Sequence, residues 1–121
     1  MRTAEVIEKR QHPRAEIAWP VILKNNREII SGETKNISAG GAYIRCRKPL
    51  KPTEVLMHIS VSLLSPRIRA LAEVVRSDIH EPAKNNASYG IGIRFIAISD
   101  KDQKHISSRV AEHLDCTSGV C

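Results

Sequence analysis

Apolar residues recur at every second position through most of the chain, and the period lengthens only near its end. Ile17, Trp19, Val21 and Leu23 alternate with smaller or polar residues, which predicts a half-buried strand from Ala15 to about Lys24. Pro20 cannot donate to a ladder, so this strand lies at an edge or carries a bulge there. Asn25-Asn26 reads as a hairpin turn, and the partner strand runs from Glu28 to about Lys35, delivering Asn36 at its end. Gly40-Gly41 interrupts the pattern before a third strand, Ala42 to Arg45, in which Tyr43 and Arg45 face away from Ala42 and Ile44. A loop bracketed by Pro49 and Pro52 leads into a fourth strand with Val55, Met57, Ile59, Val61 and Leu63 on one face. Ser65-Pro66 turns the chain into a fifth, Ile68 to Ile79, with Ala70, Ala72 and Val74 on one side. Pro82 to Ala87 is a polar loop. A sixth strand, Ser88 to Ile98, places Ile91, Ile93 and Phe95 opposite Gly90 and Gly92.

The period then changes. Ser99 with Asp102 has the form of a capping-box helix start, and Ile106, Val110 and Leu114 follow at four-residue spacing. One amphipathic helix lays that stripe across the sheet. Six short antiparallel strands and a helix predict an all-β fold with one C-terminal helix: a six-stranded antiparallel β-barrel capped by the helix, closed because closure removes exposed strand edges. At 121 residues this is one domain. It divides into an N-terminal arm over 1–14, a barrel over 15–98, a helix over 99–115 and a tail over 116–121.

Composition narrows the function classes. No stretch approaches the ~18 apolar residues of a membrane span, and nothing at the N-terminus reads as a signal peptide, so the expected location is the cytoplasm. Cys46, Cys116 and Cys121 form no Cys-x-x-Cys pair, which disfavours a disulfide framework or a zinc site. His12, His58, His80, His105 and His113 offer no ligand-spaced pair. The net charge of +6 favours anionic partners without choosing among them. Single-strand binders stack bases on aromatic side chains, and here only Trp19, Tyr43, Tyr89 and Phe95 are present, with Trp19 better placed in the core. The charge is scattered rather than gathered in a tract. A small anionic ligand fits better than nucleic acid.

The informative chemistry lies near the N-terminus. Arg10 and Arg14 are four residues apart, and Asn36-Ile37-Ser38-Ala39-Gly40-Gly41 begins 22 residues after Arg14. Guanidiniums suit planar, bidentate contact with phosphate and with the acceptor edge of guanine. Asn36 and Ser38 add short-range donors and acceptors, and Gly40 and Gly41 allow close backbone approach. Taken singly, the arginines read as a solvated pair and the second segment as an ordinary turn. Pro13 disfavours helix at His12, so the expectation is a flexible arm carrying both cations.

Together these residues resemble the PilZ family of bacterial cyclic di-GMP receptors. The family pattern is Arg-x-x-x-Arg followed by Asp/Asn-x-Ser-x-x-Gly, filled here by Arg10, Arg14, Asn36, Ser38 and Gly41. Gly90-Ile91-Gly92-Ile93-Arg94-Phe95 also resembles a late strand of that family. The resemblance implies that Arg10 and Arg14 clamp phosphates and guanine edges while Asn36 and Ser38 contact the base and nearby phosphate. It also implies that the arm orders around the nucleotide and that the signal passes to a downstream protein or through a homodimer. Asn36 keeps the acceptor of the more frequent Asp but loses its charge, which weakens a bond to the guanine N–H edge. Arg76, at the end of Val74-Val75-Arg76, reads as a further cation near the ligand or as a plain surface residue.

No base accompanies Ser38, and paired carboxylates are absent, so the expectation is a receptor rather than an enzyme, with no cofactor or metal. Two other readings stay open: a PilZ-like interaction module that has lost the nucleotide, and a small basic β-barrel that binds nucleic acid.

Overall fold

The computed structural model describes the backbone of residues 14–81 and 88–117. Six strands, β1 (Pro20–Lys24), β2 (Ile29–Ser38), β3 (Gly41–Cys46), β4 (Glu54–Ile59), β5 (Ile68–Glu81) and β6 (Ser88–Ile98), precede one helix, α1 (Asp100–Thr117). Every ladder is antiparallel, and the strands close in the order β1-β2-β3-β6-β5-β4. Pairing of β1 with β4 removes the last free edge, the structural reason six short strands are stable in one layer. The expected barrel with a helical cap is the observed fold. Arg10, the arm up to Pro13, the loop Pro82 to Ala87 and Cys121 lie outside the described residues.

Inward side chains follow the two-residue period and fill the barrel. Leu23, Ile37, Ile44, Met57, Ile59, Ile68 and Ile91 are fully enclosed. Trp19 is buried with them, as a core residue rather than a stacking platform. The helix adds Ile106 and Val110 to the same cluster, whereas Leu114 is exposed, so the apolar stripe fades over the last turn. Asp102 donates its backbone N–H to Ser99 Oγ at 3.1 Å, capping the helix where the sequence places its start. Gln103 Nε2 donates to the Ala39 carbonyl at 3.0 Å and fixes the helix beside the β2–β3 turn.

Three local expectations are corrected. The first ladder begins at Pro20 rather than Ala15, because Thr34 intervenes. Its backbone N–H donates to the Trp19 carbonyl at 2.9 Å, but its Oγ1 accepts the Trp19 N–H at 2.8 Å and donates to the Ile17 carbonyl, so the side chain takes over part of the ladder there. Asn36 lies inside β2, which continues to Ser38. Leu63 leaves the face shared by Val55, Met57 and Ile59 and is fully exposed. The strand stops at Ile59, and Ser62 Oγ takes the Leu64 N–H at 2.9 Å, starting a turn that ends the alternation.

Candidate functional site

Two irregularities in the barrel wall build the site. The β2–β3 register shifts between Thr34 and Asn36, leaving Lys35 as an extra residue. The β5–β6 register shifts between Val74 and Arg76, leaving Val75 extra. An extra residue inverts the inside–outside alternation of a strand. Ile30 and Thr34 are buried before the first bulge and Ile37 after it; Ile68, Ala70, Ala72 and Val74 are buried before the second. Without the bulges, Asn36 and Arg76 would continue the buried parity. With them, both polar side chains turn to the outer surface.

Strand pairing then aligns the two. Asn36 is opposite Tyr43, Tyr43 opposite Gly92, and Gly92 opposite Arg76, so a single row crosses β2, β3, β6 and β5. Gly92 is the low point of that row. A Cβ there would lie 3.6 Å from Arg76 Cβ and 3.8 Å from Tyr43 Cδ1. Over the row opens a concavity of about 440 Å³, with Arg14, Asn36, Ser38, Tyr43 and Arg76 on its walls.

Arg14 is placed by the residue after it. Ala15 and Ile37 exchange two backbone hydrogen bonds of 3.0 Å, which pins the chain against β2 and sets Arg14 at the rim beside Asn36. Among the described residues Arg14 forms no ion pair. Asn36 Oδ1 is buried and has no hydrogen-bond partner. Such an orphaned acceptor costs about 1–3 kcal/mol and is otherwise rare in a folded protein. Ser38 Oγ accepts the Gly40 N–H at 3.1 Å, holding the turn between β2 and β3.

Opposite them, Arg76 and Tyr43 share Asp78. Arg76 Nε is 3.0 Å from Asp78 Oδ2, and the Tyr43 hydroxyl donates to the same oxygen at 3.1 Å. The Arg76 guanidinium carbon stands 5.3 Å from the Tyr43 ring centroid. Burial pushes the Tyr43 phenol above its ordinary value, the Asp78 carboxylate adds to this, and Arg76 partly opposes it. The phenol is therefore a donor at neutral pH. Arg76 is 64% exposed, so its ion pair contributes no more than about 1 kcal/mol and serves mainly to orient.

Of the residues singled out in sequence, Arg14, Asn36, Ser38, Gly41 and Arg76 line one concavity. Gly40 is not on its wall; its carbonyl accepts the Phe95 N–H at 3.0 Å. Gly41 has a packing reason to be glycine, because a Cβ would come within 2.3 Å of the Ile93 carbonyl oxygen on β6. The sequence places Tyr43 among the few aromatics and Gly92 in a strand resembling a late one of the family, and joins neither to the site. Their place in the row depends on the register across β3 and β6, which no local pattern prints. Among the described residues no cluster of His, Cys, Asp or Glu is arranged to hold a metal. No described helix is long and apolar enough to cross a membrane.

A family model, the PilZ domain, matches residues 8–112 and spans both halves of the arginine and Asn-x-Ser-x-x-Gly pattern. Several solved structures share the fold. The inhibitor of motility MotI/DgrA of Bacillus subtilis superposes with a TM-score of 0.72 at 21% identity, over 88% of this chain and 51% of that one. The PilZ domain of YcgR from Escherichia coli, determined with c-di-GMP, gives 0.70 at 8% identity, over 93% and 99%. The MrkH–c-di-GMP complex of K. pneumonia gives 0.68 at 17% identity, over 91% and 53%. The chain thus spans about half the length of MotI and of MrkH. No curated protein matches it in sequence.

Proposed function

The chain belongs to the PilZ family, and on that premise we propose that it is a cyclic di-GMP receptor whose binding surface is the row Asn36–Tyr43–Gly92–Arg76 with Arg14 at its rim. The observation that carries the reading is the buried, unpartnered Asn36 Oδ1 in a concavity with cations on opposite walls. A guanine N–H edge satisfies that acceptor. Arg14 and Arg76 meet the phosphates, and Ser38, whose hydroxyl donates a long 3.4 Å bond to the Gly41 carbonyl, turns that proton to a phosphate oxygen. The Tyr43 ring beneath Arg76 keeps the guanidinium plane open to a base.

Arg10 completes the clamp from the arm. Ordering each arm residue costs about 1–2 kcal/mol of backbone entropy. A charged hydrogen bond returns about 1.5–3 kcal/mol, enough to offset one or two residues, so Arg10 needs more than one such bond to hold the arm against the ligand. The ordered arm changes the surface that a downstream protein meets, and that shift is bounded by the ligand's differential affinity for the two states.

Calorimetric titration of cyclic di-GMP into the native protein, Arg14→Ala and Asn36→Ala tests this. Saturable micromolar binding, on the order of −8 kcal/mol, is expected for the native chain and is weakened at least tenfold in both variants. Absence of saturable heat from the native protein would leave the fold as an interaction module without nucleotide.

A further inference from the structure

A second concavity lies at the opposite end of the β2–β3 hairpin and is the larger, about 720 Å³ against about 440 Å³. Ile29, Glu33, Arg45, Arg47, Lys48 and Ser88 line it. Arg45 faces Glu33 across the β2–β3 ladder, and Cys46 Sγ donates to the Lys48 carbonyl at 3.1 Å, which fixes the turn carrying Arg47 and Lys48. Arg76, Arg94 and Arg109 each pair with a carboxylate, whereas Arg45, Arg47 and Lys48 form no ion pair among the described residues. An independent feature stands at the wall: Ser88 is only 8% exposed, and its Oγ is buried without a hydrogen-bond partner. A buried hydroxyl left unpaired is destabilising, and here it borders a basin of unpaired cations.

We propose that this concavity is a second anion site, separate from the cyclic di-GMP surface, that binds the phosphate monoester of a small molecule. The charge balance selects the monoester. Three cations against the single carboxylate of Glu33 leave a formal surplus of two positive charges. A phosphate monoester carries about −1.5 to −2 at neutral pH and matches that surplus, while a diester or a carboxylate carries a single charge. Arg45 and Arg47 supply guanidinium forks, Lys48 a point charge, and Ser88 Oγ the proton for a phosphate oxygen. The volume exceeds a bare phosphate. Ile29, 65% exposed, gives the body of the ligand an apolar wall, and Glu33 accepts from one of its N–H or O–H groups.

Amide NMR on the intact chain tests this with adenosine 5′-monophosphate, adenosine and inorganic phosphate as probes. The monophosphate is expected to give saturable shifts at Gly32, Cys46, Arg47 and Ser88. Inorganic phosphate should move the same amides more weakly, and adenosine should move none. Arg45→Ala/Arg47→Ala weakens the monophosphate about tenfold or more, the loss of at least one charged hydrogen bond. Ser88→Ala weakens it severalfold while raising the melting midpoint of the free protein, because an unpaired hydroxyl is removed. Arg14→Ala leaves it unchanged, which separates this site from the first. Shifts confined to Asn36, Tyr43 and Arg76, equal shifts from adenosine, or unsaturable shifts spread over all surface cations would each overturn the proposal.

Discussion

Tyr43 and Arg76 belong to strands that are not paired with each other, yet the guanidinium of one lies 5.3 Å from the ring centroid of the other. They meet across Gly92 of β6, which has no side chain to separate them. Asp78 holds both polar ends, so Arg76 is oriented over the concavity before any ligand arrives. Pre-orientation lowers the entropy lost on binding, which is worth more to affinity than an extra flexible contact.

Asp78 also competes with an anionic ligand for Arg76. Asp78→Asn is expected to tighten cyclic di-GMP binding severalfold at low salt, since it removes a carboxylate beside the phosphates. The gain should shrink at high salt. Arg76→Ala should weaken binding about tenfold, the loss of a charged hydrogen bond. Calorimetry at two ionic strengths checks both; weaker binding by Asp78→Asn would show that orientation outweighs competition.

Asn36 balances binding against stability. Asn36→Asp puts a carboxylate where the buried, unpartnered oxygen stands, and an unpaired buried charge costs more than an unpaired amide. The free protein should melt lower at neutral pH, and the cyclic di-GMP complex should gain affinity through a charge-assisted bond to the guanine N–H edge. Melting curves with and without nucleotide measure the two effects. A variant less stable and no tighter would remove Asn36 from the base contact.

The glycines separate folding from binding. Gly41→Ala forces a Cβ to within 2.3 Å of a backbone oxygen on β6, which cannot move without opening the β3–β6 ladder. A loss of about 3 kcal/mol or more is expected in denaturant unfolding, at the upper end of overpacking costs. At Gly92 the nearest contacts, 3.6 and 3.8 Å, are ordinary packing distances. Gly92→Ala should therefore fold with near-native stability, and Gly92→Val should part Tyr43 from Arg76 and weaken nucleotide binding.

His58 gives the stability a pH dependence. Burial lowers its imidazole below the ordinary 6.5, and the positive charges of Lys24, Arg67 and Arg69 add to the effect. Its Nε2 is buried without a partner. The unfolded chain then binds the proton more readily than the folded one, so stability falls as pH drops below about 6.5 and levels off beneath the folded value. Unfolding free energies between pH 7.5 and 5 should show this decline, and His58→Gln should flatten it. An unchanged slope in the variant would assign the decline to other groups.

Apolar alternation together with turn residues located all six strands, because a two-residue period and turn chemistry are local properties of the chain. Asn25 marked its hairpin by accepting the Arg27 and Glu28 N–H groups at 2.8 and 3.0 Å, and Ser99 marked the helix start. Arg14, Asn36, Ser38 and Arg76 were visible as chemistry, since residue type and spacing are local facts. The bulges at Lys35 and Val75 were not, and they decide which way Asn36 and Arg76 point. A bulge is an excess of one strand over its partner, so it exists only once two strands are paired. The adjacency of Asn36, Tyr43, Gly92 and Arg76, and of Ser88 with the Arg45–Lys48 cations, is of the same kind. Residues distant in sequence became neighbours because the barrel closed in one register, and only the closed sheet fixes that register.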